Sequence, residues 1–455
     1  MSKFDTYREQ YASFVYHGFS MDVMDGVLSV VYNFETPGLS DFHPTWKFPV
    51  KRDLDDQAMT CLRELVFQLG MVETISYYKI VCPKKVIVEC GSMTGDQILW
   101  WKKLYYNGLG EFMYRNGIEV SEDELLSIEC QTPEERGDAK PFQDPYPYQG
   151  FLVPVGGGKD SVVTLETLKG HEDIMTFHIN GGSAIDNVIQ VFNDKKNDYR
   201  AERTLDPNML ALNEKGYLNG HTPFSALAAF ASTLAAFLSG RKYIALSNET
   251  SANETTVKDS FVNHQYSKSY EFEQDFQNYI RGIVTSDIHY FSYLRPLTEI
   301  EIASIFATCR EYLPVFRSCN RGSKRGIWCC NCPKCLFVYI ILSPFLSEDE
   351  EIGIFGEKLL DKPSLEQDFR ELVGIDENKP FECVGTRSEV AAALKAYIGS
   401  GRKSLLTEKY REEILSRPDS VNVLLSGWEN KNHVPEAFQG YLKEKLIQAR
   451  EAFEA

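Results

Sequence analysis

The sequence is first defined by what it lacks. No apolar run is long enough to cross a bilayer: the longest, residues 226–238, is interrupted by Ser232 and Thr233 and falls short of the roughly 20 residues a spanning helix needs. Membrane insertion is therefore not expected. Basic charge is also short. Lys and Arg number 48 against 65 Asp and Glu, a net charge of −17. That balance argues against nucleic acid as a partner and leaves room only for a local basic cleft. The start, Met1-Ser-Lys-Phe-Asp-Thr-Tyr-Arg-Glu, is charged with no apolar core behind it, so a signal peptide is not expected. The 11 cysteines then belong in a reducing cytoplasm, where they stay thiols. No glutaminase domain is apparent. What remains is an ordinary globular composition over 455 residues, enough for two or three domains with a sizeable core.

The chain is organised around residues 151–170. An apolar run, 151–155, reads as a buried strand of a parallel sheet, with Pro154 an unusual member because it donates no ladder hydrogen bond. Gly156, Gly157 and Gly158 follow, then Lys159, Asp160 and Ser161 at a helix entry whose apolar stripe is Val162, Leu165 and Leu168. A glycine turn between strand and helix points backbone N–H groups and the positive end of the helix at one spot, which suits phosphate. The Walker pattern fails, since Val153 stands where its first glycine belongs and Asp160 where its Ser or Thr belongs. The stretch instead resembles the loop of the PP-loop ATP pyrophosphatases, commonly S-G-G-x-D-S, with Gly156 departing from the first serine. That resemblance implies cleavage of ATP between its α and β phosphates, adenylation of a substrate oxygen and release of pyrophosphate.

The rest of the chain supports an α/β fold, read as a doubly wound parallel-sheet nucleotide domain. Residues 1–130 form an α/β module, with Leu28, Val30, Tyr32 and Phe34 on one strand face and Leu62, Leu65, Val66 and Leu69 at helical spacing. By itself this module shows no function. Residues 131–150, with four prolines and no periodicity, read as a linker or long loop. The nucleotide domain then spans 151–345. Its second strand, 174–179, ends at Asn180, which is placed to border an adenosine by the rule that ligands sit at strand C-termini. Thr222 and Pro223 open an Ala-rich helix closed by Gly240 and suited to packing on a sheet. A third strand, 242–247, follows it. Ser269 reads either as a helix cap or as the end of a substrate-facing loop that includes Lys268. Residues 346–455 read as a mainly helical C-terminal region, broken by Phe381-Glu-Cys-Val-Gly-Thr386. There Thr386 is a helix cap or part of an anion-binding turn.

Cys319, Cys329, Cys332 and Cys335 give C-x9-C-x2-C-x2-C, with Cys330 as an extra neighbour. Four thiolates at these spacings fit a structural Zn2+ site, and an iron–sulfur cluster uses the same ligands. The cluster also resembles the zinc motif of the deazaguanine (queuosine-precursor) synthase branch of PP-loop enzymes. Glycine loop, late Pro-Leu segment at 296–297 and cysteine cluster occur in the same order.

Over nearly its full length, through VPVGGGKDS, NHQYSKS, CNCPKC and PFECVGT, the chain resembles a family of bacterial epimerases. These invert the terminal L-glutamate of a UDP-linked muramoyl dipeptide at the expense of ATP with Mg2+. The resemblance implies that Gly157, Gly158 and Ser161 hold pyrophosphate, Lys159 neutralises developing charge and Asp160 helps to place Mg2+. Adenylation cancels the carboxylate charge that resists loss of the α-proton, so a base can then remove it. His221, His264 and Lys258 are the candidate bases. A polyanionic substrate also needs a basic patch, for which Arg317, Arg321, Lys324 and Arg325 beside the cysteine cluster are candidates. Two rival readings stand: a PP-loop enzyme that amidates or thiolates its substrate, and a non-catalytic nucleotide-binding protein.

Overall fold

The computed structural model describes residues 2–130, 140–192, 197–257 and 260–454. They form two compact units, each assembled from separated stretches. Met1–Gln149, Tyr199–Ile244 and Phe261–Tyr290 make the first; Gly150–Asp198, Ala245–Ser260 and Phe291–Ala455 make the second. This differs from the contiguous division at 130, 150 and 345 expected from the sequence. The reason lies in the Ala-rich helix Phe224–Ser239, closed as expected by left-handed Gly240. It packs against the long helix Asp56–Tyr78 and the strand Thr45–Pro49, so its segment joins the first unit.

The first unit, expected as an α/β module, is built on a mixed sheet. Strands Ser13–Met24 and Val27–Thr36 pair antiparallel across Asp25-Gly26, both with positive φ (51° and 73°), which matches a two-residue turn that follows the strand twist. The sheet order is Asp198–Thr204, Thr45–Pro49, Val27–Thr36, Ser13–Met24, Lys85–Val88, Ser127–Cys130, with the last two contacts parallel. Leu28, Val30, Tyr32 and Phe34 are all fully buried, as period-two alternation requires. The helix Asp56–Tyr78, capped by Asp55, is buried at nearly every position from Cys61 onward. It is a core helix with neighbours on every side.

Polar groups on that helix are paired inside the core. The Glu73 carboxylate accepts from Trp46 Nε1 at 3.1 Å and from the Arg203 guanidinium at 2.7 and 2.9 Å. Residues 131–139 of the expected linker lie outside the described residues, but 140–149 are built into this unit. Phe142–Gln143 pairs in parallel with Val284–Thr285, and the buried Asp144 carboxylate accepts from Arg52 at 2.8 Å and from the Tyr148 hydroxyl. A buried ion pair fixes what prolines alone would leave loose.

In the second unit Phe151–Pro154 and Ile174–Ile179 run parallel. The helix Lys159–Leu168 connects the parallel pair and packs against Glu299–Thr308 and the C-terminal helix Glu436–Glu454. The C-terminal region is mainly helical, as expected. Among the described residues no helix is long and apolar enough to cross a membrane.

The Glu73–Arg203 pair yields a test of the first unit. Glu73→Ala leaves a buried guanidinium without its partner and should lower stability by about 3–5 kcal/mol. The double change Glu73→Leu with Arg203→Met removes both charges and should cost clearly less. Denaturation midpoints that rank the double variant below the single one would overturn this account.

Candidate functional site

Three segments of the second unit meet at the glycine loop. Gly157 has φ 79°, and a Cβ there would lie 2.7–2.9 Å from Ala184 and the Ile185 nitrogen. The N-terminus of the helix Ser183–Phe192 therefore reaches the loop that opens the helix Lys159–Leu168. Two helix N-termini at one place concentrate partial positive charge and N–H donors. The third segment, residues 317–326, comes from the cysteine cluster. Arg317 N–H donates to Gly157 O at 2.8 Å, and Lys159 N–H donates to Ser318 Oγ at 3.3 Å. Asn180, in the left-handed region at φ 64°, begins the turn that leads to Gly182. A Cβ on Gly182 would sit 3.5 Å from Lys324 Cα.

Side chains around the loop are closely paired within the fold. The Lys159 side chain is fully buried, with its ammonium ion-paired to both Asp160 and Glu299. Burial opposes its charge, but the two carboxylates outweigh burial and raise its pKa above the ordinary lysine value. Two carboxylates thus hold this ammonium inside the fold. Burial likewise pushes the Glu299 carboxyl up. Ser161 Oγ donates to Gly158 O at 3.0 Å, so its proton is committed to the loop backbone. Thr386 is a helix cap: its N–H and hydroxyl both donate to Glu389 Oε2, at 2.6 and 2.8 Å. The other oxygen of Glu389 accepts Glu299 N–H at 2.6 Å. A chain of contacts thus runs from the tail through Glu389 and Glu299 to Lys159.

The basic patch divides. The Arg317 guanidinium donates to the carbonyls of Gly326, Pro314 and Phe316 and braces its own loop. Arg321 donates to Asn331 O at 3.2 Å. Lys324 and Arg325 are exposed, and neither has an ion-pair partner among the described residues. Lys268 belongs to the first unit, where its charge bears on His221.

Cys319, Cys329, Cys332 and Cys335 come together with their sulfurs within 4.8 Å of one another. Cys329 and Cys335 are 3.7 Å apart. Four sulfurs at about 2.3 Å from one tetrahedral ion lie about 3.8 Å apart, so the spacing fits a single ion better than a multinuclear cluster. Backbone N–H groups of Gly322 and Cys329 donate to Cys319 Sγ, and that of Cys335 to Cys332 Sγ. Hydrogen bonds from Cys332 and Cys335 hold the Cys319 thiol well below its ordinary range, while Cys319 pushes Cys335 far above it. Four thiolates at this spacing require a cation among them. Cys330 stands apart, donating to Phe355 O at 3.2 Å.

The first unit holds a different constellation. Gly108 ends one helix, and a Cβ there would lie 2.7 Å from the Pro223 ring; the next short helix, Gly110–Arg115, carries Glu111. His264 Nδ1 lies 2.5 Å from Glu111 Oε2 and His221 Nδ1 lies 3.8 Å from it, with the two rings 4.5 Å apart. Burial opposes ionisation of Glu111, but His264 and His221 outweigh it and lower its pKa. Burial, then His264, lowers the His221 pKa to about 4. Lys79 braces the turn before His221 through Asn219 Oδ1 at 2.9 Å and Gly220 O at 2.7 Å, and burial lowers its pKa to about 8. These donor atoms also lie within 4.8 Å of one another. Lys79 and Lys268, both felt electrostatically at His221, nevertheless disfavour more positive charge, so the set suits proton transfer better than a metal ion. Two expected bases, His221 and His264, thus come together; Lys258 lies outside the described residues. Sequence spacing could not find Glu111, which is 153 positions from His264.

An α/β architecture, a loop at converging helix ends and a half-buried cluster of one carboxylate and two imidazoles together describe an enzyme. Residues 5–293 match the family model described as the MurL N-terminal domain, and residues 315–414 match the MurL C-terminal domain. A protein of Xanthomonas oryzae pv. oryzae (strain MAFF 311018) is 31% identical over 96% of this chain and 98% of its own length. It is named UDP-N-acetyl-alpha-D-muramoyl-L-alanyl-L-glutamate epimerase. A Salinispora tropica protein of the same name is 32% identical over 84% of each chain. No solved structure matches the chain. The chain belongs to the MurL family, and it is an amino-acid epimerase.

The histidine cluster makes a measurable claim. Because the folded His221 pKa is lowered, its contribution to stability is present above about 6.5, the ordinary histidine value, and is lost as pH falls towards about 4. An NMR titration should show the His221 ring neutral at pH 6. Glu111→Gln, which removes the neighbouring charge that favours the imidazolium, should lower its pKa further. A ring that titrates near 6.5, or rises in the variant, would count against the geometry described.

Proposed function

We propose that this chain inverts the α-carbon of the terminal glutamate of UDP-N-acetylmuramoyl-L-alanyl-L-glutamate, the substrate its relatives' name carries, by way of an acyl-adenylate. A carboxylate oxygen attacks the α-phosphorus of ATP, the bond to the β-phosphate breaks and pyrophosphate leaves. The adenylated carbonyl then accepts the electron pair freed when the α-proton is removed. Return of a proton to the opposite face inverts the centre. Water hydrolyses the adenylate to AMP and the free acid. The reading makes this a PP-loop enzyme working in the cytoplasm on a peptidoglycan precursor.

The observation that supports activation by ATP is the meeting of two helix N-termini at Gly157, with exposed Lys324 and Arg325 in the segment packed against them. Gly156, Gly157 and Gly158 hold the phosphates by backbone N–H groups, and Asn180 borders the adenosine. Asp160, whose side chain is 26% exposed, is the carboxylate suited to Mg2+, while Lys159 and Glu299 fix its position. Glu111, His221 and His264 exchange the α-proton: the His221 imidazole is neutral and open to accept a proton, and the Glu111 carboxylate beside it favours the charged ring that results. The four-cysteine site holds a structural Zn2+.

Incubation with the L-glutamyl precursor, ATP and Mg2+ in deuterated water should place deuterium at the glutamate α-carbon and release AMP and pyrophosphate. Asp160→Ala should abolish pyrophosphate release. ADP with phosphate as products, or nitrogen or sulfur entering the substrate, would refute the reading.

For the metal, protein purified without chelator should contain zinc, and Cys332→Ser should lose it together with thermal stability. Visible absorption from iron and sulfide in the purified protein would exclude zinc there.

A further inference from the structure

We propose that Ser318 supplies the hydroxyl that hydrogen-bonds the nucleotide's phosphates at the glycine loop, and that the four-cysteine knot holds it in place. The inference rests on the reading that this loop grips ATP. Residues 156–158 have no side chains, and the Ser161 proton is already given to Gly158 O at 3.0 Å. Ser318 lies against the loop from the other side. Its Oγ accepts the Lys159 N–H at 3.3 Å and would lie 2.7 Å from a Cβ on Gly158. A serine hydroxyl has one proton and two lone pairs. Here one lone pair is used, and no acceptor for the proton lies among the described residues. That proton is therefore free to be donated where an anion would rest.

The position of Ser318 is fixed on both sides. Arg317 N–H binds Gly157 O at 2.8 Å. The next residue, Cys319, is fully buried in the knot, its sulfur accepting N–H groups from Gly322 and Cys329. Backbone anchored one residue before and one after leaves the hydroxyl little freedom to lose on binding. A donor held in this way also explains how position 156 can be glycine. Gly156 is not in the left-handed region, and a Cβ there would meet nothing within 4 Å. A hydroxymethyl group is thus sterically allowed at position 156 and can be used to test the idea.

Binding of ATP with Mg2+ is measured by calorimetry for wild type, Ser318→Ala, Ser318→Thr and the double variant Ser318→Ala with Gly156→Ser, with zinc content measured on each. A hydrogen bond to a charged group corresponds to roughly tenfold or more in affinity. Ser318→Ala should therefore bind ATP at least tenfold more weakly with its zinc intact. Ser318→Thr should stay close to wild type, and adding Gly156→Ser should recover part of the loss. A wild-type protein that does not bind ATP would overturn the loop reading itself. Unchanged binding in Ser318→Ala, loss of zinc along with affinity, or no recovery from Gly156→Ser would overturn the role of Ser318 alone.

Discussion

Gly157 and Gly158 lack side chains, and the second unit depends on that bareness. A Cβ on either would collide, with the backbone at Ala184 and Ile185 or with Ser318 Oγ. Because neither is present, one helix entry packs closely on the loop and the cysteine-bearing segment approaches it to hydrogen-bonding distance. Arg317 then closes a bond to Gly157 O. Positive ends of helices repel one another unless an anion or a polar partner lies between them, so such a convergence carries a cost that a bound anion repays. The loop and the cysteine knot are in this sense one construction, although more than 150 positions separate Lys159 from Ser318.

Charge inside both units is handled by close pairing. Lys159 sits between Asp160 and Glu299, Glu73 between Arg203 and Trp46, and Glu111 between His264 and Arg115. A buried ion without a partner costs several kcal/mol, which is why each has one. The Glu111 cluster differs in kind, since its partners include imidazoles, which can accept a proton and return it. An epimerase requires that property, because it must remove a proton and restore it without net change. Burial lowers the His221 pKa and keeps that ring available as an acceptor.

Much of the fold was legible in local pattern. Alternation at 28, 30, 32 and 34, the glycine turn after 155, the Ser269 cap and the closure of the Ala-rich helix at Gly240 all describe short-range physics, and the structure contains each. The grouping of the four cysteines was legible for the same reason: three of its members fall within seven residues. Where the sequence misled, a long-range partner had intervened. Lys159 looks like an available cation until Glu299, 140 positions away, is brought beside it. Residues 140–149 look like a linker until Arg52 pairs with Asp144.

The sequence by itself determined the secondary elements, the bare loop at a strand-to-helix junction and the metal-type cysteine spacing. These depend on backbone preferences and neighbours a few residues away. Only the tertiary structure decided which charges are free and which are spent, that Glu111 joins the two histidines, and that Ser318 lies on the loop. Those outcomes depend on contacts between residues tens to hundreds of positions apart, and no local pattern encodes the partner of a buried group.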